Sequence, residues 1–357
     1  MSNIDPDKLA HYRKLADRDL WDLKDKKADT YFRRARSEGV NLVNPDPVGT
    51  GMFLAPRHRN LTGLDLALVG IPLDLGVPNP RPGTRMGPNA LRQWSLNKET
   101  MNFSTGVMPY EICNVADWGE IEFRRAPYNL DACIDEIFEA YQAFAEADVV
   151  PLTIGGEHTC TFPILKALGA KEPLGLIHLD AHGDTCVNFD GVRVSDATVI
   201  QLAVTEGVVD PERTIQIGLR GRGLIRSHFN EESGMRVVLA EEFQERGAKE
   251  IIAEARKVVG NGPCYLTIDS DVIDASEMPG TTLPEPFGLY GREVRDFIRG
   301  LRGLNIIGAD FMELSPAYDP TAASVSLAAG IAFEQFCLLA ESRAEHKGVV
   351  RKTHWKA

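Results

Sequence analysis

Short, almost continuously apolar runs recur along the chain at 66–71, 149–154, 174–179, 214–219, 235–239, 264–268 and 304–308. Their lengths suit strands, and their aliphatic and β-branched content without strict alternation suits strands covered on both faces. Segments 130–147 and 240–259 carry the length and apolar recurrence of crossover helices. The pattern predicts an α/β protein, a three-layer α/β/α architecture around a mainly parallel central sheet. Before position 60 the pattern changes. Helical potential is confined to 9–15 and 19–37, and Asn44-Pro45-Asp46-Pro47-Val48-Gly49 breaks regular structure. Residues 1–60 therefore read as an extension packing on the core or on a neighbouring subunit, with Trp21, Tyr31, Phe32, Met52 and Phe53 as anchors. Residues 61–345 form the main domain, and 346–357 a C-terminal tail.

Composition narrows the class only slightly. The 357 residues are 43% hydrophobic and 25% charged, ordinary values for a globular chain able to bury a large core. A formal charge of -12 disfavours a nucleic-acid backbone binder and is compatible with a cationic small molecule. The N-terminus shows no apolar signal-like stretch, and no run approaches the roughly 20 apolar residues of a membrane span. A cytoplasmic location is the expectation. The six cysteines are scattered without a CxxC pair, so reduced thiols are expected, with Cys160, Cys186 and Cys264 filling space near the active strands.

Chemistry concentrates where three of the runs end. Run 149–154 leads into Gly155-Gly156-Glu157-His158, run 174–179 into Asp180-Ala181-His182-Gly183-Asp184, and run 264–268 into Asp269-Ser270-Asp271. In an open parallel sheet, ligands gather outside the carboxyl ends of the strands. A lone DxD is usually a turn or a helix cap. Three such transitions together make His158, Asp180, His182, Asp184, Asp269 and Asp271 a candidate metal set, and period-two spacing places the ligands of an extended segment on one face. Imidazole with carboxylate suits Mn, Ni, Co or Zn, and six ligands exceed the needs of one open ion.

These motifs resemble those of the ureohydrolase family, which includes arginase and agmatinase. Gly155-Gly156-Glu157-His158 is similar to the family's Gly-Gly-Asp-His element, and the segments 178–185 and 267–274 are similar to its two carboxylate-rich motifs. Arg81-Pro82-Gly83-Thr84-Arg85-Met86-Gly87-Pro88, the segment 216–221, Pro279-Gly280-Thr281 and Pro284-Glu285-Pro286 extend the match over about residues 60–340. The resemblance implies an arginase-like fold and two divalent ions per active subunit. One would be held by His158, Asp180, Asp184 and Asp269, the other by Asp180, His182, Asp269 and Asp271, with Asp180 and Asp269 bridging. It implies hydrolysis of a guanidine-type C–N bond, with Asp271 hydrogen-bonding the hydroxide and helping to protonate the leaving nitrogen. Glu313 resembles the family's guanidinium-holding carboxylate, while Asp274 and Glu285 are expected to support loops. Homotrimers or homohexamers are implied, and a heterohexamer with a related subunit is a further option.

One departure bears on the substrate. Many family members carry Ser-His-Gly where this chain reads Ser195-Asp196-Ala197, and no histidine occurs from 183 to 227. Asp196 is therefore expected to meet a cationic or N–H-rich substrate group, alongside any part in proton transfer, and to disfavour a guanidino acid by like-charge repulsion. The preferred expectation is a biguanide such as metformin, giving guanylurea and dimethylamine, as in the metformin-hydrolase branch of the family. Agmatine or another guanidine is the alternative, and a noncatalytic regulatory subunit the third reading. Ni is the metal expected with the biguanide reading and Mn with the broader family.

Overall fold

The apolar runs become the strands of one eight-stranded sheet in a computed structural model that describes residues 5–17, 51–76, 81–97, 100–186, 192–221 and 228–347. The strands are β1 Leu66–Ile71, β2 Val115–Glu120, β3 Val150–Gly155, β4 Leu174–Leu179, β5 Val209–Leu219, β6 Arg236–Leu239, β7 Cys264–Asp269 and β8 Ile306–Met312. Their order is β2-β1-β3-β8-β7-β4-β5-β6, and every pairing is parallel. The order places β3, β8, β7 and β4 side by side at the centre, so the three predicted ligand segments and Glu313 all emerge from neighbouring strand ends.

The described helices are α1 Pro6–Ala16, α2 Gly87–Ser95, α3 Pro109–Ile112, α4 Leu130–Glu146, α5 Thr161–Leu168, α6 Val199–Thr205, α7 His228–Ser233, α8 Ala240–Arg246, α9 Ala248–Val259, α10 Gly291–Gly300 and α11 Ala323–His346. Period-two alternation sends each strand's side chains to opposite faces, and both faces are covered. Leu66, Leu68, Leu152, Ile154, Ile177 and Ile268 share one apolar cluster with α9, α10 and α11 residues such as Val259, Phe297 and Phe336. Ala67, Val69, Leu174, Leu176 and Tyr265 share the other with α4, α5 and α6 residues such as Tyr141, Leu165 and Ile200. Each fully buried Leu, Ile or Phe contributes about 1.5–3 kcal/mol of transfer free energy. The predicted three-layer α/β/α architecture is the one observed.

Three expectations need correction. Segment 240–259 is two helices, because Gly247 adopts φ 78° between α8 and α9. The last apolar run begins its strand later, at Ile306, and continues through Asp310 to Met312, bringing Glu313 directly to the strand end. Among the described residues one helix, α11, is long and apolar enough to cross a membrane, against the expectation that no run would be. It lies in the core, where Phe333, Phe336 and Leu339 pack in the apolar cluster.

The N-terminal residues described, 5–17, belong to a separate compact unit. There α1 shows none of its residues buried and is held by its caps: Asp5 accepts from the Asp7 and Lys8 amides at 2.8 and 3.3 Å, with Pro6 at the first helical position. The predicted helix at 9–15 falls within it. Trp21, Tyr31, Phe32 and the segment 19–37 lie outside the described residues. Met52 and Phe53 are fully buried in the main unit, as expected of anchors.

Candidate metal centre

Each ligand segment is shaped by what its strand end must do. The turn after β3 runs against β1 so closely that a Cβ at Gly156 would lie 2.3 Å from the Leu73 carbonyl oxygen, so only glycine fits before Glu157 and His158. After β4, Asp180 turns the chain by accepting from the His182 amide at 2.6 Å. Asp269 ends β7 and accepts from the Asp271 amide at 2.9 Å, which winds Ser270–Val272 into a single tight turn. Asp184 and Glu313 adopt φ 49° and 64°, left-handed values that ordinary residues avoid. Such strain persists where the surroundings fix a side chain for use.

The six predicted ligands converge in two lobes. In the first, His158 Nδ1 lies 3.2 Å from Asp180 Oδ2, 3.0 Å from Asp184 Oδ2 and 3.4 Å from Asp269 Oδ2. In the second, His182 Nδ1 lies 3.0 Å from Asp271 Oδ2 and 3.5 Å from Asp180 Oδ1. Asp180 thus presents one oxygen to each lobe, the placement a bridging carboxylate requires. His158, Asp180, Asp269 and Asp271 are buried, whereas the His182 side chain is 22% exposed and opens the second lobe toward solvent.

The donor set fits cations. His158 Nδ1 is fully buried and aligned with none of its three carboxylate neighbours as a hydrogen bond. Burial raises the pKa of Asp269, and Asp271 and Asp180 raise it further, to well above the carboxylate range. Burial likewise raises Asp184, with Asp180 adding to it, and raises Asp271 despite the opposing His182. Buried acids that cannot all ionise by themselves are the signature of a site completed by external positive charge. Divalent ions acceptable to mixed imidazole and carboxylate donors, Mn or Ni among them, match this set.

His178 also crowds this cluster, 2.8 Å from Asp180 Oδ2 through Nε2. Both of its nitrogens are engaged, because Gln216 Nε2 lies 2.9 Å from Nδ1. These contacts suit it to orienting Asp180, although its ring also stands among the candidate ligand atoms. The sequence reading missed this role: His178 lies inside an apolar strand, and only its two-residue spacing from Asp180 signalled a shared face.

Beside the lobes stands a second group of acids. Glu313 is buried; its Oε1 accepts from the His158 amide and its Oε2 from the Thr282 hydroxyl, both at 2.6 Å. Burial raises Glu313 well above its ordinary range, and nearby Asp196 raises it further. Asp196 opens a short turn, Asp196–Thr198, capped by Ser195, and its Oδ1 accepts from the Ala197 amide at 2.8 Å. Burial first and Asp184 second push Asp196 up to about 7. Glu157, unmentioned in the predicted ligand set, is pushed up to about 8 by burial while both its oxygens hold the Gly76 amide at 2.7 and 2.8 Å. Asp196 and Glu313 are therefore close enough to the ligands to feel their charge. The supporting roles expected of Asp274 and Glu285 also have visible contacts. Asp274 accepts from the Ser276 and Gly288 amides at 2.9 and 3.0 Å, and Glu285 lies 3.8 Å from His182 Nε2. Cys160 and Cys264 are buried and Cys186 half-buried, all as free thiols, and burial pushes Cys186 above its ordinary pKa, consistent with packing.

Comparisons with known proteins agree with this geometry. The family model described as the Arginase family matches residues 64–337. Human mitochondrial guanidino acid hydrolase is 40% identical over 82% of this chain and 84% of its own length. Chicken mitochondrial agmatinase is 39% identical over 82% and 86%. The solved structure of proclavaminate amidino hydrolase from Streptomyces clavuligerus superposes with TM-score 0.77 at 33% identity, covering 82% of this chain and 97% of that one. With the sheet, the paired lobes and these matches in agreement, the chain belongs to the arginase family of ureohydrolases.

Proposed function

We propose that this chain is a two-metal hydrolase of a guanidine-type C–N bond, acting on a small cationic substrate without a carboxylate. The observation that carries the reading is the shared carboxylate, Asp180, facing His158 in one lobe and His182 in the other. His158, Asp180, Asp184 and Asp269 would hold one divalent ion, and Asp180, His182, Asp269 and Asp271 the second. When bound, two such ions acidify a water molecule to supply hydroxide at neutral pH. Every other part falls to the chain. Glu313, fixed by the His158 amide and Thr282, directs its remaining lone pairs to a planar N–H fork. Asp271, held by the Ala181 amide at 3.0 Å and beside His182, takes up a proton and returns it to the leaving nitrogen.

Asp196 decides the substrate class. Its carboxylate, in the electrostatic neighbourhood of Glu313 and Asp184, repels a substrate carboxylate and attracts a second N–H-rich group. Agmatine satisfies the charge rule, and the resemblance to an agmatinase supports it. A biguanide such as metformin is the second reading, in which Glu313 and Asp196 would each take one amidine-like group. Ni accompanies that reading and Mn the first, and either would act in a cytoplasmic oligomer, homomeric or combined with a related subunit. The complete ligand set argues for a catalytic rather than a regulatory subunit. Protein loaded with Ni or Mn, offered agmatine, guanidine, metformin and guanidino acids, tests this directly. Urea release from agmatine alone supports the first reading and dimethylamine release from metformin the second; faster turnover of guanidino acids than of either would refute the charge rule.

A further inference from the structure

Below the metal centre, five strands each place one polar side chain at the same register. Thr153 on β3 pairs with Asp310 on β8, Asp310 with Thr267 on β7, Thr267 with His178 on β4, and His178 with Gln216 on β5. All five are fully buried. Asp180 and Asp269 follow His178 and Thr267 by two residues, so they rise from the same face one step nearer the strand ends. A polar row through the core of a sheet is costly unless every member is hydrogen-bonded. Here the bonds are present. Asp310 Oδ1 accepts from the Thr267 hydroxyl at 2.6 Å, and Oδ2 from Thr161 and Tyr265 at 2.8 and 3.0 Å. Thr153 is joined to Tyr141 at 2.5 Å.

The direction of these bonds assigns protons. Thr267 has one hydroxyl hydrogen, and Asp310 receives it. The same oxygen lies 2.8 Å from His158 Nε2 and is left only as an acceptor there, so Nε2 carries the ring hydrogen. Nδ1 then faces three carboxylates and is the nitrogen left to take a cation between them. On the other side, Gln216 Nε2 donates to the Gly183 carbonyl at 2.7 Å, which fixes its amide orientation, and gives its second hydrogen to His178 Nδ1. His178 must then donate from Nε2 to Asp180. Asn230 completes the row by donating to Gln216 Oε1.

We infer that the row Asp310-Thr267 and Gln216 sets the tautomers of two neighbouring imidazoles, making His158 a metal ligand through Nδ1 and His178 an orienting donor to Asp180. Thr267, Asp310 and Gln216 are positioning residues in this account, two to three bonds from the reacting atoms. The inference rests on His158 being a ligand, as proposed above.

Thr267 offers the cleanest test, because valine keeps its shape while removing the hydroxyl and serine restores it. Mn and Ni binding is measured by calorimetry on the full chain, with 1H–15N spectra of the Zn-loaded protein reporting the hydrogen bond at the Nε2–H of each histidine. Thr267→Val is expected to weaken the tighter-bound ion by roughly 10–100-fold and to remove the hydrogen-bonded Nε2–H signature of His158 alone. Thr267→Ser is expected to stay within about threefold of the parent in affinity and to keep that signature, as support that the hydroxyl itself acts. Thr267→Val with parental affinity and an unchanged His158 signature overturns the inference. His158→Ala separates the two levels: lost binding there with no effect of Thr267→Val rejects the row alone, whereas undiminished binding in His158→Ala rejects the metal-ligand reading and the row with it.

Discussion

Asp117 and Asp269 are buried aspartates in strands of one sheet, yet their surroundings treat them oppositely. Around Asp117, on the edge strand β2, Arg92 Nε approaches to 2.8 Å and the Met52 and Gly119 amides donate at 2.8 Å each. Burial alone would raise its pKa, but Arg92 and these amides lower it below the carboxylate range. Around Asp269 burial acts together with Asp271 and Asp180, and the pKa rises. Asp117 has its positive charge within the fold; Asp269 lacks one, whereas Asp180 is held low by the histidines around it. The contrast separates charge that holds the fold from charge that holds ions.

The largest expected effect breaks the second kind. Asp180→Asn or Asp269→Asn removes a carboxylate proposed as a metal ligand, and metal affinity should fall more than about 100-fold with hydrolysis nearly abolished. Elemental analysis alongside turnover reads it, while the chemical denaturation midpoint of the metal-free Asp269→Asn protein should not fall. The mirror-image change is Arg92→Met, which strands Asp117. It should cost about 3–5 kcal/mol of folding stability, measured by denaturant titration, because an uncompensated charge is left buried. Metal stoichiometry of the folded fraction should be unchanged, and a loss of both would erase the distinction.

Much of this was legible because strand burial leaves a plain sequence trace. The central strands announced themselves as apolar runs, and each ligand segment followed one. β2 did not, since Asp117 and Glu120 interrupt Val115–Glu120 for reasons that only Arg92 explains. The apolar run at 304–308 stops short of the strand's end because Asp310 breaks the apolar pattern; that residue is a buried member of the polar row. α11 carries buried Glu334, Glu341 and Arg343 among its apolar residues, partnered by distant arginines and by Asp148, so its periodicity did not stand out. Metal ligands were readable from spacing, whereas His178 and Glu157 depended on contacts with residues 38 and 81 positions away.

A smaller effect sharpens the comparison through pH. Asp196 is pushed from 3.8 up to about 7, so the native metal-free state holds its proton more tightly than the unfolded chain does. Stability from that proton is present below the unfolded value and is lost as pH rises toward about 7, the reverse of Asp117. Asp196→Asn should therefore stabilise metal-free protein at pH 8 by on the order of 3 kcal/mol, with the gain vanishing near pH 4. In metal-loaded protein the same change should shift the ratio of agmatine to guanidino-acid turnover by about tenfold toward the acid, roughly 1.4 kcal/mol of discrimination. Thermal and denaturant melts at two pH values, and competition kinetics, check the two halves. Equal stability at both pH values would show that Asp196 is not held near the acids. The smallest expected effect is Cys186→Ser, which should leave turnover within about twofold, since a thiol with raised pKa is a poor nucleophile.

The most direct test of the two-lobed centre is the divalent metal content of gently purified, active protein, measured by elemental analysis on the same sample as turnover. About two Ni or Mn ions per chain, falling together with activity on chelation and returning together on reloading, is the expected result. Full guanidine hydrolysis by protein holding less than about one divalent ion per chain would contradict it.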